Sequence, residues 1–170
     1  MIELLIFYIL SKKVSTMYGI SKTISTEFPV FLTPSIGTIK PALRRLELSG
    51  FIKSQKSISK GGRPSTYYSI TEQGKVAFKE YLLAPVPENP TQFLSNARIR
   101  LYCADYLSME DLIKLLRMLR LKTEYILSDI NKLEEGRDAD FYPKVVLDNL
   151  NCEYNNFVSL LEGIERACKH

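Results

Sequence analysis

The fold is decided by residues 61–74, which read GGRPSTYYSITEQG. The two glycines and Arg63 predict the tip of a β-hairpin, the tyrosine pair a short return strand, and Thr71 the start of a helix. Shortly upstream, residues 35–52 read SIGTIKPALRRLELSGFI, which predicts a basic helix that runs into a strand. A basic helix followed by a hairpin with a basic tip is the layout of a winged helix-turn-helix. Such a helix fits the major groove of DNA, and the tip lies along a neighbouring phosphate backbone or minor groove.

The other elements of the N-terminal half follow from helical periodicity and from capping signals. Thr16 predicts the N-cap of a second helix, in which Tyr18 points partly inward, and Gly50 predicts the C-terminal cap of the third. Pro41 conflicts with the third helix, because proline removes a backbone hydrogen bond and bends a helix. The predicted helices are 1–11, 17–28, 35–49 and 71–83, and the predicted strands are 51–58 and 66–70.

A stretch with three prolines, residues 84–91, predicts a stiff linker between two domains. Helix does not run through such a segment. Beyond it the pattern is helical throughout, and Ser108 with Asp111 is a near match to a capping box. We therefore predict a mainly α protein with a small β-hairpin. A winged helix-turn-helix domain occupies residues 1–83, and an all-α dimerisation domain occupies residues 92–170.

The charge of the chain divides at the same place. Residues 1–83 carry 12 Lys or Arg and 5 Asp or Glu, a net charge of +7. Residues 84–170 carry 11 and 14, a net charge of −3. Positive charge concentrated on the predicted helix and hairpin indicates a polyanion partner, and double-stranded DNA fits it best. A basic surface that only keeps the protein soluble is the alternative.

The final helix carries apolar residues spaced alternately by three and four, the pattern of helices that pack lengthwise on a partner. A second seam of this kind runs from Leu112 to Leu133. Both seams can be satisfied within the chain as a helical hairpin. A segment of about eighty residues with long helices has a poor ratio of surface to core, which favours a homodimer. The predicted dimer interface consists of Leu150, Tyr154, Phe157, Leu161 and Ile164.

Helical projection of residues 35–49 predicts a buried stripe of Ile36, Ile39, Leu43 and Leu46. The opposite side is basic, and an outward Gly37 would let the backbone approach a surface closely. Tyr67 and Tyr68 point to opposite faces of the return strand. Tyr67 is assigned to the DNA side, and ordinary core packing is the alternative for both tyrosines. The predicted DNA-binding residues are Ser35, Gly37, Thr38, Lys40, Arg44, Arg45, Lys60, Arg63 and Tyr67.

Three stretches resemble the signature of the PadR family of transcriptional regulators: residues 17–20 (MYGI), 35–52 and 62–74. The resemblance implies a winged-helix domain followed by a helical dimerisation domain. It also implies a repressor that binds a palindromic operator as a homodimer and is released by a small-molecule effector. At Lys40 this sequence departs from the family, which usually has tyrosine just before the proline.

Other classes of function find less support in the sequence. The chain has one histidine, His170, and carries neither a phosphate-binding glycine loop nor a zinc-protease motif, so we expect no enzyme, no metal site and no cofactor. A winged helix that binds proteins instead of DNA remains the alternative. A thiol sensor at Cys103, near Arg98 and Arg100, is a variant of the regulator. The three cysteines and the short apolar run at residues 2–10 predict a cytoplasmic protein without a membrane span.

Overall fold

The computed structural model describes residues 1–31, 35–58, 64–135 and 141–168. Within those residues the chain forms seven α-helices and three β-strands, and it divides into two compact units. The first unit is Met1–Ala84 with Leu94–Tyr106, and the second is Pro85–Phe93 with Leu107–His170. Residues 94–106, which were predicted to lie in the helical domain, thus belong to the same unit as the winged helix.

The first unit contains the helices α1 (Ile2–Lys12), α2 (Met17–Glu27), α3 (Ile36–Leu48) and α4 (Glu72–Leu83). It also contains a small antiparallel sheet of the strands β1 (Ser15–Thr16), β2 (Ile52–Ile58) and β3 (Pro64–Ile70). Its sheet has the strand order β1-β3-β2, with Ser54 opposite Tyr68 and Ser15 opposite the same tyrosine on the other side. The sequence predicted only the hairpin, because a two-residue strand such as β1 has no alternating pattern to detect.

An apolar core holds these helices together. Phe7 of α1 lies at its centre, with its ring centroid 5.6 Å from that of Phe78 on α4. Tyr18, which the sequence predicted to point partly inward, is instead 74% exposed. It occupies the second position of α2, where the helix has only begun to pack. The fully covered side chains of the unit include Leu5, Ile6, Phe7, Ile20, Ile24, Phe28, Ile39, Leu43, Leu46, Phe78 and Leu82.

Three helix ends carry the caps that the sequence predicted. Thr16 and Thr71 each accept a hydrogen bond at Oγ1 from the backbone N–H three residues on, at 3.0 Å. Gly50 has a φ of +72°, which L side chains rarely adopt, and it closes α3. There the N–H groups of Gly50 and Phe51 donate to the carbonyls of Glu47 and Leu46, which is a Schellman cap.

The predicted linker is shorter than expected at its C-terminal end, because α5 (Pro90–Tyr102) already begins at Pro90. Proline is compatible with the first helical position, where the missing N–H would have no intrahelical partner. Asn89 caps this helix by accepting a hydrogen bond from the N–H of Gln92 at 3.1 Å. The helix ends at Tyr102, and a 3₁₀ turn follows over Ala104–Tyr106.

The second unit is dominated by α6 (Met109–Glu135) and α7 (Phe141–Ala167). The predicted cap of α6 is present: Ser108 Oγ donates to Asp111 Oδ2 at 2.7 Å and accepts from the Asp111 N–H at 3.3 Å. Arg120 of α6 pairs with Glu165 of α7, and Asn131 bonds Asn151, so the two helices run antiparallel. No helix in the described ranges is long and apolar enough to cross a bilayer.

Candidate nucleic-acid interface

The α3 helix presents one face to the core and a basic face to solvent. Ile39, Ala42, Leu43 and Leu46 are buried. The side chain of Ile36, predicted for the same stripe, lies outside the described residues. A helix turns about 100° per residue, so residues seven apart nearly align. Gly37 and Arg44 therefore share the centre of the exposed face, with Pro41 beside them.

The N-terminal end of this face is shaped by two hydroxyl groups. Ser35 Oγ and Thr38 Oγ1 lie 3.0 Å apart and share a hydrogen bond, so these two predicted site residues are brought together. A Cβ placed on Gly37 would meet Ser35 Oγ at 3.4 Å, which is ordinary van der Waals contact. The fold therefore does not require glycine at position 37. Because glycine has no side chain, a binding partner could approach the helix backbone closely at this position.

The two flanks of α3 have different neighbours. On one flank, Glu47 accepts a hydrogen bond from Ser54 Oγ of β2, so this side faces the hairpin. Lys40 lies seven residues before Glu47 and shares that flank. Among the described residues neither Lys40 nor Arg44 has an ion-pair partner, and both are exposed. Their charges are therefore available to an external anion.

Arg45 lies on the opposite flank and differs from its neighbour Arg44. Its guanidinium donates a hydrogen bond to the Glu3 carboxylate of α1, which forms an ion pair. Burial disfavours the ionised form of Glu3, but the hydrogen bond from Arg45 and the nearby positive charges outweigh it, so the pKa of Glu3 lies below its usual value. Arg45, predicted to bind DNA, thus has a partner within the chain.

The hairpin adds a second basic contribution. Successive strand residues point to opposite faces, so Lys56 shares the face of Ser54, which contacts α3 through Glu47. Tyr68 lies on this face too, and its pKa is raised by burial and by the charge of Glu47. Tyr67 is half-buried and points to the other face. The positive charge of the hairpin was expected to join the surface of the third helix, and Lys56 is one of the lysines that carry this charge.

The predicted tip residues of the hairpin, Lys60 and Arg63, lie outside the described residues. The basic surface that the structure does describe therefore consists of Lys40 and Arg44 on α3 and Lys56 on β2. Gly37, which has no side chain, lies on the same side of α3. We refer to these four residues as the α3 basic face. Lys53 of β2 is exposed on the face of the strand that carries Gln55.

The residues predicted for the dimer interface are mostly covered within one chain. Tyr154, Phe157 and Leu161 are 3%, 2% and 0% exposed, and Leu150 and Ile164 are half-buried. Phe157 packs edge-to-face on Phe93, with ring centroids 6.1 Å apart. The Tyr154 hydroxyl donates to the Pro90 carbonyl at 3.1 Å. This seam of α7 is used inside the second unit and leaves little surface for another chain.

Cys103 does not have the surroundings of a reactive thiol. It is fully buried, and burial together with the charge of Asp105 raises its pKa to about 12. A thiolate is the nucleophilic form, so this thiol stays protonated and inert at neutral pH. The guanidinium of Arg100 donates hydrogen bonds to the carbonyls of Leu82 and Ala84 at the end of α4. The surroundings of Cys103 therefore do not support the thiol-sensor variant.

Comparisons with known proteins find a matching family and a relative. Residues 6–80 match the model of the transcriptional regulator PadR-like family. An uncharacterized protein of Methanocaldococcus jannaschii is 34% identical over 71 residues, which cover 42% of this chain and 76% of that protein.

Solved structures of PadR proteins are also similar to this chain. A PadR family transcription regulator from hypervirulent Clostridium difficile is 39% identical over 46% of this chain and 79% of its own, with a TM-score of 0.41. The PadR of Bacillus subtilis, solved in complex with operator DNA, is 24% identical, covers 98% of both chains and has a TM-score of 0.47. The sequence matches, and not these loose superpositions, identify the family.

Proposed function

Because the chain belongs to the PadR-like family of transcriptional regulators, a family of regulators and not of enzymes, we propose that it binds double-stranded DNA through the α3 basic face. Lys40 and Arg44 lie exposed on one helix without ion-pair partners among the described residues, and this observation carries the proposal. An α-helix fits the major groove, where lysine and arginine donate to base edges and phosphates. Lys56 of β2 extends the same positive surface toward the hairpin.

We also propose how the protein regulates transcription. The protein acts as a repressor that binds a palindromic operator as a homodimer in the cytoplasm, and a small-molecule effector releases it. Two winged helices related by a two-fold axis read two half-sites about one helical turn apart. Thr38 and Lys40, in the N-terminal half of α3, contribute to the choice of sequence. Arg44, further along the helix, binds phosphate.

A winged helix that binds a protein is the second candidate. Its partner would have to be strongly acidic, since the exposed side of α3 and the neighbouring strand carry lysine and arginine. Binding to random duplex DNA at low salt separates the two functions. A DNA-binding protein should bind the duplex, and its affinity should fall steeply as the salt concentration rises, because phosphate contacts release counterions.

The neighbouring arginines 44 and 45 provide a matched test. Arg44→Ala should weaken binding to operator and random duplex alike, and the slope of log affinity against log salt should become shallower by about one unit. Arg45→Ala should leave the slope near that of the wild type, because this arginine is paired with Glu3. The measurement is a fluorescence anisotropy titration at several salt concentrations. Unchanged slopes for both variants would remove Arg44 from the DNA interface.

A further inference from the structure

An aromatic cluster lies where the chain leaves α2 on its way to α3. We refer to residues 28–31 as the α2–α3 turn, in which the Phe31 N–H donates to the Phe28 carbonyl at 3.0 Å. Phe28 is fully buried and Phe31 half-buried, whereas Pro29 and Val30 are exposed. Within the turn, the two phenylalanines are therefore the side chains that pack against the rest of the first unit.

Both phenylalanines contact Tyr102, the last residue of α5. The ring centroid of Tyr102 lies 4.6 Å from that of Phe28 and 6.1 Å from that of Phe31, and the rings meet edge-to-face. Tyr8 of α1 is a fourth ring of the cluster, with its centroid 5.9 Å from that of Tyr102. Edge-to-face pairs at such distances are favourable beyond the apolar area that they cover. Tyr102 thus reaches the turn from outside residues 1–83, which were predicted to form the whole winged helix.

The backbone on both sides of Tyr102 is anchored to the first unit. The next residue, Cys103, is fully buried. Asp105 accepts a hydrogen bond from Lys12 Nζ, at the end of α1, at 2.6 Å. On the other side, the guanidinium of Arg100 donates to a carbonyl at the end of α4. The ring of Tyr102 therefore contacts the α2–α3 turn from a fixed position.

We infer that Tyr102 is a positioning residue for the reading of DNA, because it holds the turn that precedes α3. This role rests on the proposed binding of DNA through the α3 basic face. The N-terminal residues of a recognition helix lie nearest the base edges, so a shift of the preceding turn changes what Thr38 and Lys40 meet. Phosphate contacts carry no sequence information and are made by long, flexible side chains. Loss of the Tyr102 contacts therefore affects the choice of sequence more than the general affinity for DNA.

Substitution of Tyr102 tests this role through the ratio of two affinities. One is for a duplex that the wild-type protein enriches from random sequences, and the other is for random duplex. Tyr102→Ala should lower the ratio about three- to tenfold, the size expected for lost ring pairs. Its binding to random duplex and the salt slope of that binding should match the wild type, because no phosphate contact is lost. Tyr102→Phe, which keeps the ring, should keep the wild-type ratio. Fluorescence anisotropy titrations measure both affinities.

Tyr81→Ala is the matched control for a loss of stability. Tyr81 of α4 is 39% exposed, against 43% for Tyr102, and its ring packs edge-to-face on Phe7 of the core at 5.4 Å. Its truncation should lower the thermal stability of the chain and leave the affinity ratio unchanged. If Tyr81→Ala lowers the ratio as much as Tyr102→Ala does, the effect follows from stability alone and the positioning role is overturned.

Phe31→Ala tests the same contact from the side of the turn. It should lower the ratio as Tyr102→Ala does, and the double variant should lose no more than about twofold beyond either single variant, because both remove one interaction. An unchanged ratio in either single variant, or losses that multiply in the double variant, would overturn the role of Tyr102 and leave DNA binding standing. A wild-type protein that enriches no sequence would overturn the proposed function as well.

Discussion

Replacing Gly74 with alanine is expected to destabilise the N-terminal unit by at least about 3 kcal/mol, at the upper end of overpacking effects. An added Cβ would lie 1.8 Å from the Phe51 carbonyl oxygen and 2.8 Å from its carbonyl carbon. That carbonyl cannot move away cheaply, because it accepts hydrogen bonds from the N–H and the hydroxyl of Thr71. The clash would therefore push the first turn of α4 away from Phe51, the residue that connects α3 to β2.

Gly163→Ala is the matched control, because nothing lies within 4 Å of a Cβ at that position of α7. Alanine in a helix interior should stabilise the chain by about 0.5–1 kcal/mol. Urea unfolding followed by circular dichroism measures both effects. If both variants unfold at the wild-type urea concentration, α4 does not approach Phe51 as closely as described.

Truncating Phe157 to alanine is expected to cost about 3–5 kcal/mol of stability in the helical unit. The side chain is 2% exposed and packs against Phe93, so its removal leaves a cavity inside one chain. Leu160, three residues further along the same helix, is 47% exposed, and its truncation should change stability by less than about 0.5 kcal/mol.

Chemical unfolding together with sedimentation distinguishes an internal seam from an interface at Phe157. The internal seam predicts that Phe157→Ala lowers the urea midpoint at every protein concentration. An intermolecular seam predicts a stable monomer whose midpoint no longer depends on concentration, and that result would contradict the packing of α7 described above.

Local signals in the sequence predicted three helix starts and one helix end correctly. Thr16, Thr71 and Ser108 cap helices as their hydroxyls and spacing indicated, and Gly50 takes the positive φ that its place after an amphipathic helix required. The winged-helix class followed from the basic helix and hairpin, and the family from the resemblance of three stretches to its signature. Caps and short-range periodicity depend on residues that are close together in the chain, so they can be recognised from the sequence alone.

Partners distant in the chain could not be predicted. A heptad seam shows that a helix packs lengthwise on something, but not whether the partner is in the same chain, and the α7 seam packs internally. Arg44 and Arg45 have the same chemistry in the sequence, yet only Arg45 lies beside Glu3, 42 residues earlier. Strand β1 escaped detection because its pairing with β3 depends on the tertiary fold.

Selection of bound fragments from random duplex DNA tests the central claim most directly. The wild-type protein should enrich a motif with two-fold symmetry, whose half-sites lie about one helical turn apart. In a parallel selection, Lys40→Ala should enrich the same spacing with a weaker preference in each half-site. Failure to enrich any sequence at low salt, or a motif without two-fold symmetry, would contradict a dimeric regulator that reads DNA through the α3 basic face.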